Sequence, residues 1–379
     1  MEIIAKKVSM MELFYDLIYV FAVGKITEMI HHPHNGVIDM ITYIKFCAGC
    51  IIILTLWFQQ TIYINKYGSN RWYDVTGMFL HMFGAIYMTN HISIDWSSNF
   101  FDFNIAVIFM LVILIIQYYL KSREYKKVPL GITNHIKLLS VALVVIIVSI
   151  ISGEKIGVFI SPINFIIMMF LPSIFNNNKN VEMDINFPHL VERMSLITII
   201  IFGEMVISLA GAFRNNGFGI IPLMMFAGMI LSFGTYVLQI EKVVNHYQKT
   251  RGFIMIYAHI GIFIGLSTLT ACIAMKDNTE INEIFLKLFN WLGITIFYLS
   301  LLLTTVYNKD KYKIKIKDVI MCISIYIMGF LISLIKIEDS NLTFYLGLLF
   351  TILLIFSYMY KYVDKCDKSL LKLGKKEND

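Results

Sequence analysis

Apolar residues in this chain gather into long runs, separated by short polar segments. Twelve of the runs approach the ~20 residues a helix needs to cross a ~30 Å bilayer core. They lie at approximately 10–30, 38–60, 74–93, 101–120, 132–152, 156–175, 188–211, 217–240, 252–275, 284–306, 316–336 and 342–362. The pattern predicts an all-α fold, a polytopic transmembrane helix bundle of about 12 spans. It predicts one integral membrane domain over residues 1–379, with a Lys-rich cytoplasmic tail at 364–379. The first run, MELFYDLIYVFAVGKITEMI, is long enough to span yet carries Glu12, Asp16, Lys25 and Glu28. Ionisable groups in a span need a reason, because burying them in hydrocarbon is costly.

Composition excludes a soluble protein. The chain is 58% hydrophobic and 15% charged, with mean hydropathy +0.70. Soluble domains carry about 25% charged and about 45–50% apolar residues. The first run contains Glu12 and Asp16 and is followed by no small-residue cleavage site, so it does not read as a secretory signal. With the N-terminus placed in the cytoplasm, 23 Lys and Arg fall on the cytoplasmic side and 4 on the outer side. That asymmetry predicts a bacterial cell membrane protein with both termini cytoplasmic and an even number of spans. The connections are short, so any chemistry belongs among the helices or at their mouths. The net charge of +6 is scattered through these loops and does not point to nucleic acid. The basic segment NKDKYKIKIKD (308–318) and the tail read as topology signals, with contact to anionic lipid as the alternative.

Five cysteines lie in apolar runs or in the tail and form no disulfide framework; Cys47-Ala-Gly-Cys50 reads as small-residue packing. The HHPHNG loop (31–36) contains three histidines, but Pro33 interrupts them and no carboxylate is near in sequence, so it reads as an exposed loop. No P-loop, GxSxG elbow or HExxH helix is present. The expectation is therefore no catalytic, cofactor or metal site, and not an enzyme.

Twelve spans invite a search for an internal repeat. Glu12 and Glu192 open the first and seventh spans, 180 residues apart; His81 and His259 lie in the third and ninth, 178 apart. The offsets suggest two parallel six-span halves, 1–180 and 181–363.

The polar residues inside the spans carry the candidate chemistry. Glu12 and Asp16 stand at i and i+4 on one helix face, with Asp16 ~6 Å deeper. A bland reading makes Glu12 an interfacial residue at a helix N-terminus and Asp16 a structural pair. In FPHLVERMSLITIIIFGEMVISLAG, Pro188 suits a first helical turn, and His189, Glu192 and Arg193 are read on adjacent parts of one face. Glu204 lies ~16 Å further along, near the bilayer middle, and is expected to face the bundle interior. His81 and His259 are candidates for proton relay or for pairing with these carboxylates. Arg193 is expected to pair across helices with Glu12 or Asp16, and Lys45 is an alternative partner for Asp16.

The segments VSMMELFYDLIYVFAVGKIT and HLVERMSLITIIIFGEMVIS together resemble the bacterial low temperature requirement A (LtrA) family. That family has an E-L-F-[FY]-D-L first span and a later H-[LI]-x-E-R span followed by G-E. YAHIGIFIG resembles its Y-x-H span, except that Ile260 stands where the family often has proline. The matching positions here are Glu12, Leu13, Phe14, Asp16, His189, Glu192, Arg193, Gly203 and Glu204. The resemblance implies a multipass bacterial membrane protein linked to growth at low temperature, and it brings no catalytic role with it.

Four functions are compatible with these residues. The first is a secondary transporter, coupled to protons, moving an unknown small solute. There, Glu204 would exchange the proton and Glu192 and Arg193 would gate with Glu12 and Asp16. The others are an ion channel, a membrane-embedded lipid-modifying enzyme, and a non-transporting structural or sensing protein. The bilayer is the expected partner, and the spacings Gly228–Ser232 and Gly261–Gly265 would serve packing within one chain or in an oligomer.

Overall fold

A computed structural model describes residues 4–93, 95–175, 185–334 and 340–376. Among them the chain forms twelve α-helices. These are α1 (Met10–Glu28), α2 (Met40–Tyr67), α3 (Trp72–Asn90), α4 (Phe100–Ser122), α5 (Leu130–Ile151) and α6 (Glu154–Phe175), then α7 (Phe187–Asn216), α8 (Ile220–Val237), α9 (Phe253–Met275), α10 (Glu283–Leu303), α11 (Ile316–Ser333) and α12 (Ser340–Lys376). A π-helical segment, Leu238–Val243, prolongs α8, and 3-10 turns at Thr304–Tyr307 and Asp310–Tyr312 follow α10. Each α-helix lies over one predicted run.

Local chemistry sets the ends. Ser9 caps α1 in a reciprocal box: the Glu12 N–H donates to Ser9 Oγ (3.3 Å) and the Ser9 N–H to Glu12 Oε1 (3.1 Å). At α2 and α10 the capping is one-way: the side chains of Asp39 and Asn282 accept N–H groups of the first turn. One boundary differs from expectation. The sequence pattern ends the last span near residue 362, whereas α12 runs on through the Lys-rich segment to Lys376. An Asp364–Lys368 pair at i, i+4 (2.7 Å) supports the extension.

Among the described residues, nine helices are long and apolar enough to cross a membrane: α2, α4, α5 and α7 to α12. α1 falls outside that set because of its four charged residues, and α3 because Asp74, His81 and Asn90 dilute its mean hydropathy. The side chains of 171–175, which complete α6, lie outside the described residues. So do Lys179 and Lys336, which entered the charge asymmetry, and the junction of the two predicted halves at 180/181.

The chain divides by packing into two units. The first comprises 1–34, 38–201 and 247–264; the second comprises 35–37, 202–246 and 265–379. These limits differ from the halves 1–180 and 181–363. In the first unit α3 packs on α4 and α1, α5 lies between α4 and α6, and α2 packs on α6 and α1. In the second, α12 packs on both α8 and α11. Glycines let helices approach closely there. A Cβ on Gly265 of α9 would stand 2.9 Å from the Gly293 carbonyl of α10, and one on Gly347 of α12 would stand 3.1 Å from the Gly329 carbonyl of α11.

Candidate functional site

In the first unit, α1, α2 and α7 bury an ionic cluster. Glu12, Asp16, His189 and Arg193 are each at most 2% exposed. The Arg193 guanidinium forks between the two carboxylates of α1. Its Nη1 donates to Glu12 Oε2 (2.8 Å) and its Nη2 to Asp16 Oδ1 (2.6 Å). The i, i+4 spacing of Glu12 and Asp16 matches the width of that fork. Helix α2 closes the third side. The Trp57 indole donates to Asp16 Oδ1 (2.7 Å), and Arg193 Nη2 reaches Thr61 Oγ1 (3.3 Å). The guanidinium also lies over the rings of Trp57 (5.2 Å) and Tyr15 (5.9 Å), where the ring faces favour a cation.

His189 is held between α1 and α2. Its Nε2 is 2.8 Å from Glu12 Oε2 and its Nδ1 is 3.0 Å from Asn65 Nδ2. The Asn65 amide cannot turn over freely. Its Nδ2 donates to the Asn186 carbonyl (2.9 Å) and its Oδ1 accepts the Asn186 N–H (2.9 Å). Asn65 therefore presents a donor to His189, Nδ1 is the acceptor, and the ring is neutral with Nε2–H directed at Glu12. Asn186 also accepts the His189 N–H (3.3 Å) at the start of α7, so one residue fixes both the helix start and the imidazole's partner.

The cluster then holds two carboxylates, one guanidinium and a neutral imidazole, a net charge of −1. Two atoms are left over: the acceptor Asp16 Oδ2 and the donor Arg193 Nε are buried and have no hydrogen-bond partner among the described residues. The next charged groups outward, Lys6 and Asp74, are of opposite sign. The Lys6 ammonium donates to the carbonyls of Ile64 and Gly68 rather than to the cluster, and burial lowers its pKa. Asp74 accepts from the Tyr63 hydroxyl (2.6 Å) and the Ser69 N–H (2.9 Å).

The other predicted residues are placed differently. His81 is buried with its Nδ1 2.9 Å from the Tyr15 hydroxyl, which in turn lies 3.0 Å from that of Tyr19, so it borders the cluster through Tyr15. His259 is buried too, but its Nδ1 bonds the Met255 carbonyl of its own helix (2.8 Å). Glu192 is exposed and not part of the cluster. The sequence pattern suggests one face shared with Arg193, but consecutive helical residues point about 100° apart, and Arg193 follows His189 at i+4 instead. Glu204 belongs to the second unit, is half-buried, and has no hydrogen bond or ion pair among the described residues. Asp16 pairs with Arg193, not with Lys45. Sequence reasoning missed Trp57, Thr61 and Asn65. Their spacing of four in LWFQQTIYIN places them on one face of α2, a signal that was present in the sequence.

Residues 7–357 match the family model of the bacterial low temperature requirement A protein (LtrA). The chain belongs to the LtrA family. No curated protein matches it. The LtrA match and the apolar helices together make this a multipass membrane protein. The two segments that carry the LtrA resemblance are the two that build the cluster. ELFYD supplies Glu12 and Asp16, and HLVER supplies His189 and Arg193.

Proposed function

We propose that this LtrA protein is a proton-coupled secondary transporter of a small solute, and that Asp16 carries the coupling proton. The observation that carries the reading is the charge count of the buried cluster. A net charge of −1 away from water is costly, and one proton cancels it. His189 is held as a neutral donor by Asn65, and both Glu12 oxygens accept hydrogen bonds. Asp16 Oδ2 is the position left for the proton. Protonation there weakens the hold on Arg193, which gives loading a means of moving α7 against α1.

In this reading all twelve helices are spans, because the charges of α1 are buried through pairing. Both termini face the cytoplasm, the membrane is the bacterial cell membrane, and transport supports growth at low temperature. Glu204, half-buried and without a partner among the described residues, is the second candidate for the coupling proton.

Proteoliposomes under separately imposed pH and voltage gradients, with pools of ions and metabolites, test the proposal. Wild type is expected to show gradient-driven flux that depends on the pool. Asp16→Asn, isosteric and still able to accept from Trp57 and Arg193, is expected to fold and to lose the coupling. Coupling kept by folded Asp16→Asn but lost by Glu204→Gln would move the proton to Glu204. Fast flux with no dependence on the pool would replace the transporter with a channel.

A further inference from the structure

The second unit contains an apolar cavity of about 240 Å³. It lies between α10, α11 and α12, beyond the point where large side chains of α10 and α11 touch. At the closed end the Trp291 ring packs edge-on against Tyr326 (5.1 Å) and Phe330 (5.4 Å), and its indole donates to Ser333 Oγ (3.0 Å). Towards the open end the facing positions are Leu299 and Leu302 of α10 and Val319 and Ile323 of α11, with Ile355 and Met359 of α12 behind them. Most polar groups bordering this space are already satisfied; the exception is the buried Tyr298 hydroxyl, which has no hydrogen-bond partner among the described residues. Gln239 Nε2 donates to Thr304 Oγ1 (3.1 Å) and Asn308 Oδ1 (2.8 Å). The Tyr358 hydroxyl donates to Asp318 Oδ1 (2.7 Å), and the Tyr362 hydroxyl to the Lys313 carbonyl (2.8 Å).

The occupant follows from three features. The lining is apolar and the space exceeds the ~150 Å³ that stays dry and takes up benzene in an engineered cavity, so water is a poor filling. A helix ~10–12 Å across does not fit a slot of this volume, which leaves a thin flexible chain. Helix α11 is largely bare on its outer side, with Ile320 56% and Leu331 57% exposed, so bilayer hydrocarbon lies against it. The open end then supplies a charge. Ile314 and Asp318 line the cavity there, and between them Lys315 and Lys317 are exposed and form no ion pair among the described residues. Asp318 is turned inward, buried and hydrogen-bonded to Tyr358 and to the Lys315 N–H (2.9 Å), so the lysines dominate the surface of the mouth.

The geometry points to a phospholipid site: one acyl chain of an anionic phospholipid lies between α10, α11 and α12, with its phosphate on Lys315 and Lys317. The site gives the NKDKYKIKIKD segment a ligand, and it is independent of the proton reading of the first unit.

The test uses the full-length protein in phosphatidylcholine liposomes containing a small share of phosphatidylglycerol with a diazirine in mid-chain. Phosphatidylcholine bearing the same chain is the control. After photolysis, adducts of the glycerol lipid are expected on Leu302, Val319 and Ile355, in excess of those on the outward Ile320 and Leu331. Two lysines near a membrane surface together shift lipid binding by more than about tenfold. The exposed double substitution Lys315→Gln/Lys317→Gln is therefore expected to cut the inner adducts by about that factor and leave the outer ones alone. Leu302→Trp, which fills the slot, is expected to remove the inner adducts for either lipid. Equal labelling inside and outside, equal labelling by the two lipids, or inner labelling unchanged by the lysine substitutions would each overturn the proposal.

Discussion

In the first unit α1 and α7 meet over charge, and in the second α9 and α10, and α11 and α12, meet over glycine. In the first, Arg193 of α7 reaches two carboxylates of α1 beneath the indole of α2, and every charged member of the cluster is buried. In the second, α9 approaches α10 at Gly265 and Gly293, and α11 approaches α12 at Gly329 and Gly347. The two solutions differ in what they demand. Small-residue packing needs only shape and van der Waals contact, and any close-fitting pair of helices provides it. A buried ion cluster needs each partner in place, since a stranded charge costs more than the pair contributes. The first unit is therefore the one in which single polar residues are irreplaceable, and the one in which a proton can change the energy of a helix contact.

The largest effect should come from breaking the charge side. Arg193→Leu leaves Glu12 and Asp16 buried without their cation, and loss of one partner of a buried pair costs about 3–5 kcal/mol. Thermal unfolding in detergent should show a large fall in stability or no recoverable protein. Arg193→Lys keeps the charge but has no planar fork for two carboxylates, so it should recover only part of the loss. A loss below about 1 kcal/mol for the leucine variant, the range of exposed pairs, would mean the cluster is not held by pairing.

A smaller effect should come from the glycine side. A Cβ on Gly265 would stand 2.7 Å from the Phe297 nitrogen and 2.9 Å from the Gly293 carbonyl. Both are backbone atoms that no side-chain rotation can clear, so Gly265→Ala should cost about 1–3 kcal/mol through forced separation of α9 and α10. Gly228 is the internal control. Its Cβ would meet only the end of Ile352, at 3.5 Å. Gly228→Ala should be neutral or stabilising, because alanine is favoured over glycine within a helix by about 0.5–1 kcal/mol. Equal costs at the two positions would mean that close approach is not what distinguishes them.

The sequence reported some of this better than the rest, for physical reasons. Apolar runs of membrane-spanning length are a one-dimensional signal, and each of the twelve helices lies over one. Glu12 and Asp16 were legible because carboxylates in an apolar run are conspicuous, and Arg193 because such carboxylates need a cation. Trp57, Thr61 and Asn65 were harder to see, since Trp and Thr pass as ordinary residues of an apolar run; only their spacing of four on α2 marks them. The neutral state of His189 was beyond reach, because it depends on Asn65 being locked by the backbone of Asn186, more than a hundred residues away. The cavity was equally hidden. It lies where α10, α11 and α12 pack together, and a helix pattern does not say how helices pack.

Glu192 gives the finest test of the comparison. It stands beside Arg193 in the segment that resembles the family, and sequence adjacency suggested a shared role. The helix turns it outward to an exposed position, while Arg193 points into the cluster. If burial and pairing, not sequence adjacency, set the cost of losing a charge, Glu192→Gln should change stability by no more than about 0.5 kcal/mol, as exposed substitutions do. Its neighbour's replacement should cost several times more. Unfolding curves of the two variants, measured side by side in one detergent, make the comparison. A Glu192→Gln loss approaching that of Arg193→Leu would place Glu192 in a contact that α7 does not make within the first unit, and would move the ionic site beyond the four buried residues that define it.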